Sequence, residues 1–136
     1  MKTEHQLRLI LEKREIPSEI AEPLLARFVE AQLIDDLQFA KSFVSSRLSA
    51  GGKSAAMIRR ELKQKGVSPD RIDVALADLD QEKEFALALK LTQSRHSRMT
   101  NLEPEVVRRR LFGLLTRRGF SGAIASRVIA QVTASE

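Results

Sequence analysis

Residues 57–69 read MIRRELKQKGVSP, and the order of residue types in this stretch decides the fold. Ile58 and Leu62 stand four apart, stacked on one face of a helix, with Arg59 and Lys63 forming a second row beside them. Gly66 can take the left-handed conformation that closes a helix, so the run stops there. Ser68 and Pro69 then start another: a serine oxygen accepts from the free N–H groups of a helix N-terminus, and proline at the first helical position has no donor to lose. The stretch is the end of one short helix, a tight turn and the start of the next.

The same signal recurs on both sides. Two apolar residues four apart are followed by a basic residue, one residue more, and an apolar one: Leu7, Leu11, Arg14, Glu15, Ile16, then Ile58, Leu62, Lys65, Gly66, Val67, then Leu111, Leu115, Arg118, Gly119, Phe120. A serine follows within two residues each time, and Ser18, Ser68 and Ser121 are the expected caps of the second helices. Those helices offer Ile20 and Leu24, Ile72 and Leu76, or Ile124 and Val128 as inward faces. Asp35 or Asp36, and Ser54, are the expected caps of two further helices. Pro23 should kink the second helix or delay its start, because it removes a backbone donor.

A two-helix unit cannot bury its apolar stripe alone. The third helix is expected from the connecting segments, near residues 36–49 and 82–98. Tyrosine and tryptophan do not occur, and apolar residues recur at three and four instead of alternating, so strand signals are nearly absent. The expectation is an all-α chain of tandem three-helix repeats forming an elongated, curved array. Its modules would span 1–50, 51–100 and 101–136.

The net charge of +5 is strongly segregated. Residues 1–40 carry net −3, 41–70 net +5, 71–89 net −3 and 90–127 net +7, with Glu136 in the tail. Two cationic blocks in acidic surroundings favour a polyanionic partner. The absence of cysteine excludes disulfides, thiolate metal sites and cysteine nucleophiles. No apolar run approaches the roughly 18 residues that span a bilayer, and the start, MKTEHQLRL, lacks the apolar segment of a secretory signal. A cytoplasmic monomer is expected.

Catalytic constellations are hard to assemble from this sequence. His5 and His96 stand alone in different segments and read as surface residues. Gly51-Gly52-Lys53-Ser54 resembles the end of a phosphate-binding loop, but Arg47 occupies the position of that motif's first glycine and no strand leads in. Flexible glycines before the Ser54 cap explain the stretch better. Asp35 and Asp36 sit where a helix N-terminus favours an anion. No enzyme, cofactor or metal site is expected.

The cationic side chains are the candidate binding surface: Arg47, Lys53, Arg59, Arg60, Lys63 and Lys65 in the first block, and Arg108, Arg109, Arg110, Arg117 and Arg118 in the second. Successive helical residues turn by about 100°, so Arg108, Arg109 and Arg110 cannot all face one ligand. All six aromatics are phenylalanines, mostly at core-like positions, so bases have no stacking platform. Any nucleic acid would be held by its backbone, without sequence preference.

The run Leu33-Ile34-Asp35-Asp36, Phe39-Ala40, Phe43, Arg47, Gly52-Lys53-Ser54, Ile58-Arg59, Glu61-Leu62 and Lys65-Gly66-Val67 closely resembles the central signature of RecX proteins. Arg117-Arg118-Gly119-Phe120-Ser121 resembles that family's closing module, so the resemblance covers nearly the whole chain. Ala55, Ala56 and Met57 depart from it where the family usually has proline and basic residues, and Glu15 stands in place of a glycine-like stop. The resemblance implies a regulator that lies along the groove of the RecA filament on single-stranded DNA and suppresses filament extension, ATP hydrolysis and strand exchange. The alternatives are an autonomous DNA-binding protein of helix-turn-helix type, which would need sequence preference on duplex DNA, and a scaffold that binds only protein.

Overall fold

The computed structural model describes residues 1–134, and Glu136 of the charge count lies outside them. The described residues form eight helices and no strand: α1 (Glu4–Lys13), α2 (Ser18–Glu30), α3 (Asp36–Ala50), α4 (Ala55–Gln64), α5 (Pro69–Leu76), α6 (Gln81–His96), α7 (Pro104–Arg117) and α8 (Gly122–Thr133). Helices α3 and α6 are the expected connecting helices. The chain divides into two compact units: Met1–Ser46 with Arg59–Ala77, and Arg47–Ile58 with Asp78–Glu136.

The three repeats close with the same hydrogen bonds. Ile16 N–H donates to Leu11 C=O at 3.0 Å, Val67 to Leu62 at 3.1 Å and Phe120 to Leu115 at 3.0 Å. Each bond satisfies a carbonyl that the helix end leaves open. The residue in the left-handed conformation is Gly66 (φ 85°) in the second turn, Gly119 (φ 89°) in the third, and Glu15 (φ 60°) in the first. Glu15 thus makes the glycine turn without being glycine, at a cost of about 1–2 kcal/mol.

In the first unit, the segment leading into α1 is seated on the turn after α4. Thr3 is fully buried. Its hydroxyl accepts from Gln6 N–H at 3.1 Å and donates to Lys65 C=O at 2.6 Å, while the Gln6 side chain reaches back to Thr3 N–H. The next N–H, of Glu4, donates to Asp36 Oδ1 at 3.0 Å, and His5 packs directly on Gly66. Asp35 caps α3 through Gln38 N–H. The two aspartates therefore each serve a helix N-terminus, Asp35 its own and Asp36 that of α1.

The second unit uses the same device one repeat later. Ser54, fully buried, accepts from Met57 N–H at 3.1 Å, and its own N–H donates to Arg118 C=O at 3.1 Å. The next N–H, of Ala55, donates to Glu84 Oε1 at 3.1 Å, and Gly119 lies against Ser54 Oγ and Met57 Cβ. Gly52 is buried, with its carbonyl taking a hydrogen bond from Arg118 Nη1 at 3.1 Å. Gly52 is thus pinned, where the sequence suggested only flexibility, while a Cβ on Gly51 would meet nothing within 4 Å. Around this seat Leu111, Leu115, Phe120, Val128 and Ile129 pack with Ala88 of α6 into one core. A fully buried leucine there contributes about 1.5–3 kcal/mol. Arg127 of α8 lies 4.6 Å from the Phe85 ring of α6, adding roughly 0.5–1 kcal/mol.

One expected face is out of register. Ile20 is 61 % exposed, while Ala21 and Leu25 are buried. The cap of α2 is Pro17, and Ser18 is already helical. Counted from their caps, Ala21 after Pro17, Ile72 after Ser68 and Ala125 after Ser121 occupy the same position, and all three are buried. Pro23 lies inside α2 without delaying its start. Ser68 is the cap of α5 by backbone conformation, but its hydroxyl makes no cap bond and instead accepts from Arg71.

Candidate nucleic-acid interface

The cationic residues singled out by sequence divide by what their side chains already do. In the first unit, Arg59, Arg60 and Lys63 are exposed along α4. Arg59 donates to Asp73 Oδ1 at 2.7 Å across the α4–α5 hairpin. Both partners face solvent, so the pair contributes at most about 1 kcal/mol. Lys65 is half-buried, its ammonium 5.6 Å over the Phe43 ring and its carbonyl taken by Thr3.

In the second unit, Arg47 and Lys53 are half-buried, and both take part in contacts within the protein. Arg118 is also half-buried and binds through both ends: its guanidinium holds Gly52 C=O and its carbonyl holds Ser54 N–H. Arg108, Arg109, Arg110 and Arg117 are exposed, and among the described residues no ion pair or hydrogen bond engages their side chains.

The arginine triplet fans around α7. Arg108 and Arg109 line an open groove between α7 and α8, bordered by Glu105 and the half-exposed Phe112. Arg109 and Arg110 line a second, smaller cleft of about 380 Å³ beside Arg117, Gly113 and Leu114 of α7 and Arg95 and Met99 from the end of α6. The structure therefore brings together Arg109, Arg110 and Arg117 and adds Arg95, which the sequence reading did not select. A lone arginine in the last turn of a helix is stabilised by the helix dipole in any case, so nothing local distinguished it.

The histidines are half-buried, and His5 is packed on Gly66. No group of three or more His, Cys, Asp or Glu among the described residues is placed to hold a metal ion. No described helix is long and apolar enough to cross a membrane. Arg8 and Glu22 join α1 to α2 through an ion pair at 3.0 Å. The hydrogen bond from Arg8 holds the Glu22 carboxyl below its ordinary range, outweighing desolvation. On the other side, the bond to Glu22 raises Arg8.

Comparison with known proteins gives a consistent answer. The family model for the second three-helix domain of RecX matches residues 35–76, and that for the third matches residues 82–129. A regulatory protein RecX from Streptomyces coelicolor is 41 % identical over 99 % of this chain and 72 % of its own length. One from Thermobifida fusca is 36 % identical over 99 % and 73 %. A crystal structure of a regulatory protein RecX superposes with a TM-score of 0.83 at 31 % identity, covering 94 % of this chain, which spans 64 % of the crystallised one. The crystal structure of RecX from Lactobacillus salivarius, 18 % identical, shares the fold at a TM-score of 0.85, covering 98 % of this chain and 87 % of its own. The repeated capped hairpins, the shared glycine turns and these matches agree: the chain belongs to the RecX family of regulatory proteins.

Proposed function

We propose that this chain binds the RecA filament on single-stranded DNA and restrains filament extension, ATP hydrolysis and strand exchange. The observation that carries the reading is the set of exposed cations without an internal partner among the described residues, Arg60, Lys63, Arg108, Arg109, Arg110 and Arg117, on the scaffold of a RecX protein. Leaving a guanidinium hydrated costs nothing, but several on one helix repel one another until an anion arrives. Tandem repeats multiply such contacts, so affinity builds from many weak interactions. DNA is touched through phosphates, because α7 offers arginines and no asparagine or glutamine to read base edges. The domain division that suits this reading is a set of modules spanning 1–50, 51–100 and 101–136, acting as a monomer in the cytoplasm.

The test adds the protein to RecA, ATP and single-stranded DNA. A fall in hydrolysis rate and shorter filaments are expected. Unaltered hydrolysis and filament length would refute the proposal.

A further inference from the structure

The cleft between α6 and α7 has a composition that core packing does not explain. Four of its seven lining residues are arginines, Arg95, Arg109, Arg110 and Arg117, and no carboxylate is among them. None of the four makes an ion pair or hydrogen bond with the described protein. The helix dipole rewards the cations at Arg95 and Arg117, in the last turns of α6 and α7. Arg109 and Arg110 lie in the body of α7 and receive no such compensation.

Gly113, in the second half of α7 but inside the helix, also lines the cleft. Glycine inside a helix is unfavourable compared with alanine, and its backbone here is ordinary helix that any residue could adopt. A Cβ at this position would touch only the tip of the Arg117 side chain, at 3.2 Å, and no backbone. Packing therefore does not require glycine. What the missing side chain leaves is open space in a cleft lined by four arginines.

We propose that this cleft is a phosphate-binding site that seats the backbone of a single-stranded nucleic acid. Guanidinium groups match phosphate oxygens with paired, charge-assisted hydrogen bonds. A volume of about 380 Å³ suits a ligand of nucleotide size, near the lower end of the range of roughly 300–1,000 Å³ for small-molecule pockets. A strand is assigned over a free nucleotide on the reading that the chain contacts DNA; Arg109 also lines the α7–α8 groove beside Arg108, where Glu103 and Glu105 balance the two arginines, so the cationic surface is centred on the cleft itself. The proposal rests on the reading that the chain contacts DNA phosphates, and it assigns Arg95 and Gly113 to that contact.

The experiment measures fluorescence anisotropy of labelled oligothymidine with the full chain at low salt. Gly113→Leu changes no charge, improves helix propensity and fills the cleft; affinity should fall about tenfold. Arg95→Gln should also lose about tenfold, the loss of one or two charge-assisted bonds. Arg98→Gln removes the same charge from an exposed position just after α6 that does not line the cleft, and should lose less than about twofold.

Wild-type affinity in Gly113→Leu, with an unchanged thermal melt, would overturn the site. So would equal losses in Arg95→Gln and Arg98→Gln, which would mean diffuse electrostatics. Displacement of the oligonucleotide by inorganic tripolyphosphate at equal phosphate concentration would overturn the strand assignment in favour of free polyphosphate. The RecA hydrolysis assay on the same proteins reads the regulatory role separately. Unaltered hydrolysis beside a selective loss in Gly113→Leu leaves the site standing and the role refuted.

Discussion

Substituting alanine at Gly51 and at Gly119 separates the conformational need for glycine from the steric one. Both residues have left-handed backbones, φ 76° and 89°. A Cβ on Gly51 would meet nothing within 4 Å, whereas one on Gly119 would drive into Ser54 Oγ and crowd Met57 Cβ. Backbone strain costs about 1–2 kcal/mol in either case, reduced by about 0.4–1 because alanine also restricts the unfolded chain. Gly51→Ala should therefore lose about 1 kcal/mol. Gly119→Ala adds an overpacking term of about 1–3 kcal/mol. Ser54 is buried and hydrogen-bonded at both its hydroxyl and its N–H, and Met57 presents an atom fixed to the backbone, so neither can swing aside. The expected total is about 2–4 kcal/mol. At about 3–4 °C per kcal/mol for a chain of this size, thermal melts by circular dichroism should fall by about 3 °C for Gly51→Ala and about 10 °C for Gly119→Ala. Equal losses in the two variants would refute the steric seat of the third turn on Ser54.

Glu15→Gly should raise stability by about 0.5–1 kcal/mol in urea titration, because it relieves a left-handed side-chain residue in the same turn; a destabilised variant would contradict the equivalence of the three turns. The Arg8–Glu22 pair has a pH signature: Glu22 is held below its ordinary range, so its contribution is present above the carboxylate range and lost as the pH falls through its folded value. The melting difference between wild type and Glu22→Gln should accordingly exist at neutral pH and vanish in strong acid, and its persistence there would refute the assignment. With six exposed cations free of partners among the described residues, the logarithm of DNA affinity should fall against that of salt with a slope of about −4 for single strands, and a slope near zero would leave only protein contacts.

The helical repeat was legible because it rests on local chemistry. Ile58 with Leu62 and Leu111 with Leu115 are all fully buried, as their spacing requires, and Gly66 and Gly119 close their helices. In α2 the capping position that Ser68 and Ser121 fill in the other repeats is held by Pro17, one residue before the serine. Serine is the better capping residue, but Pro17 takes the position and shifts the buried face from Ile20 to Ala21 and Leu25. The start of α1 carries a local signal of its own, since Thr3 and Gln6 have the spacing of a capping box. Other features had no local signal. Arg118 resembles any terminal-turn arginine, and its partner Gly52 is 66 residues away. Lys65 offers its carbonyl to Thr3 across 62 residues. Arg95 joins Arg110 and Arg117 only once α6 and α7 have packed.

The seating of one hairpin's first helix on the following hairpin's turn gives the molecule a direction in time. On the ribosome, the start of α1 emerges long before Lys65 and Gly66 exist to receive it, and Ser54 waits in the same way for Arg118 and Gly119. Closing such long loops is slow compared with forming a helix. Early segments are therefore held open until later ones are made, and a chain cut after α3 would expose Thr3 and its neighbours with no surface to settle on.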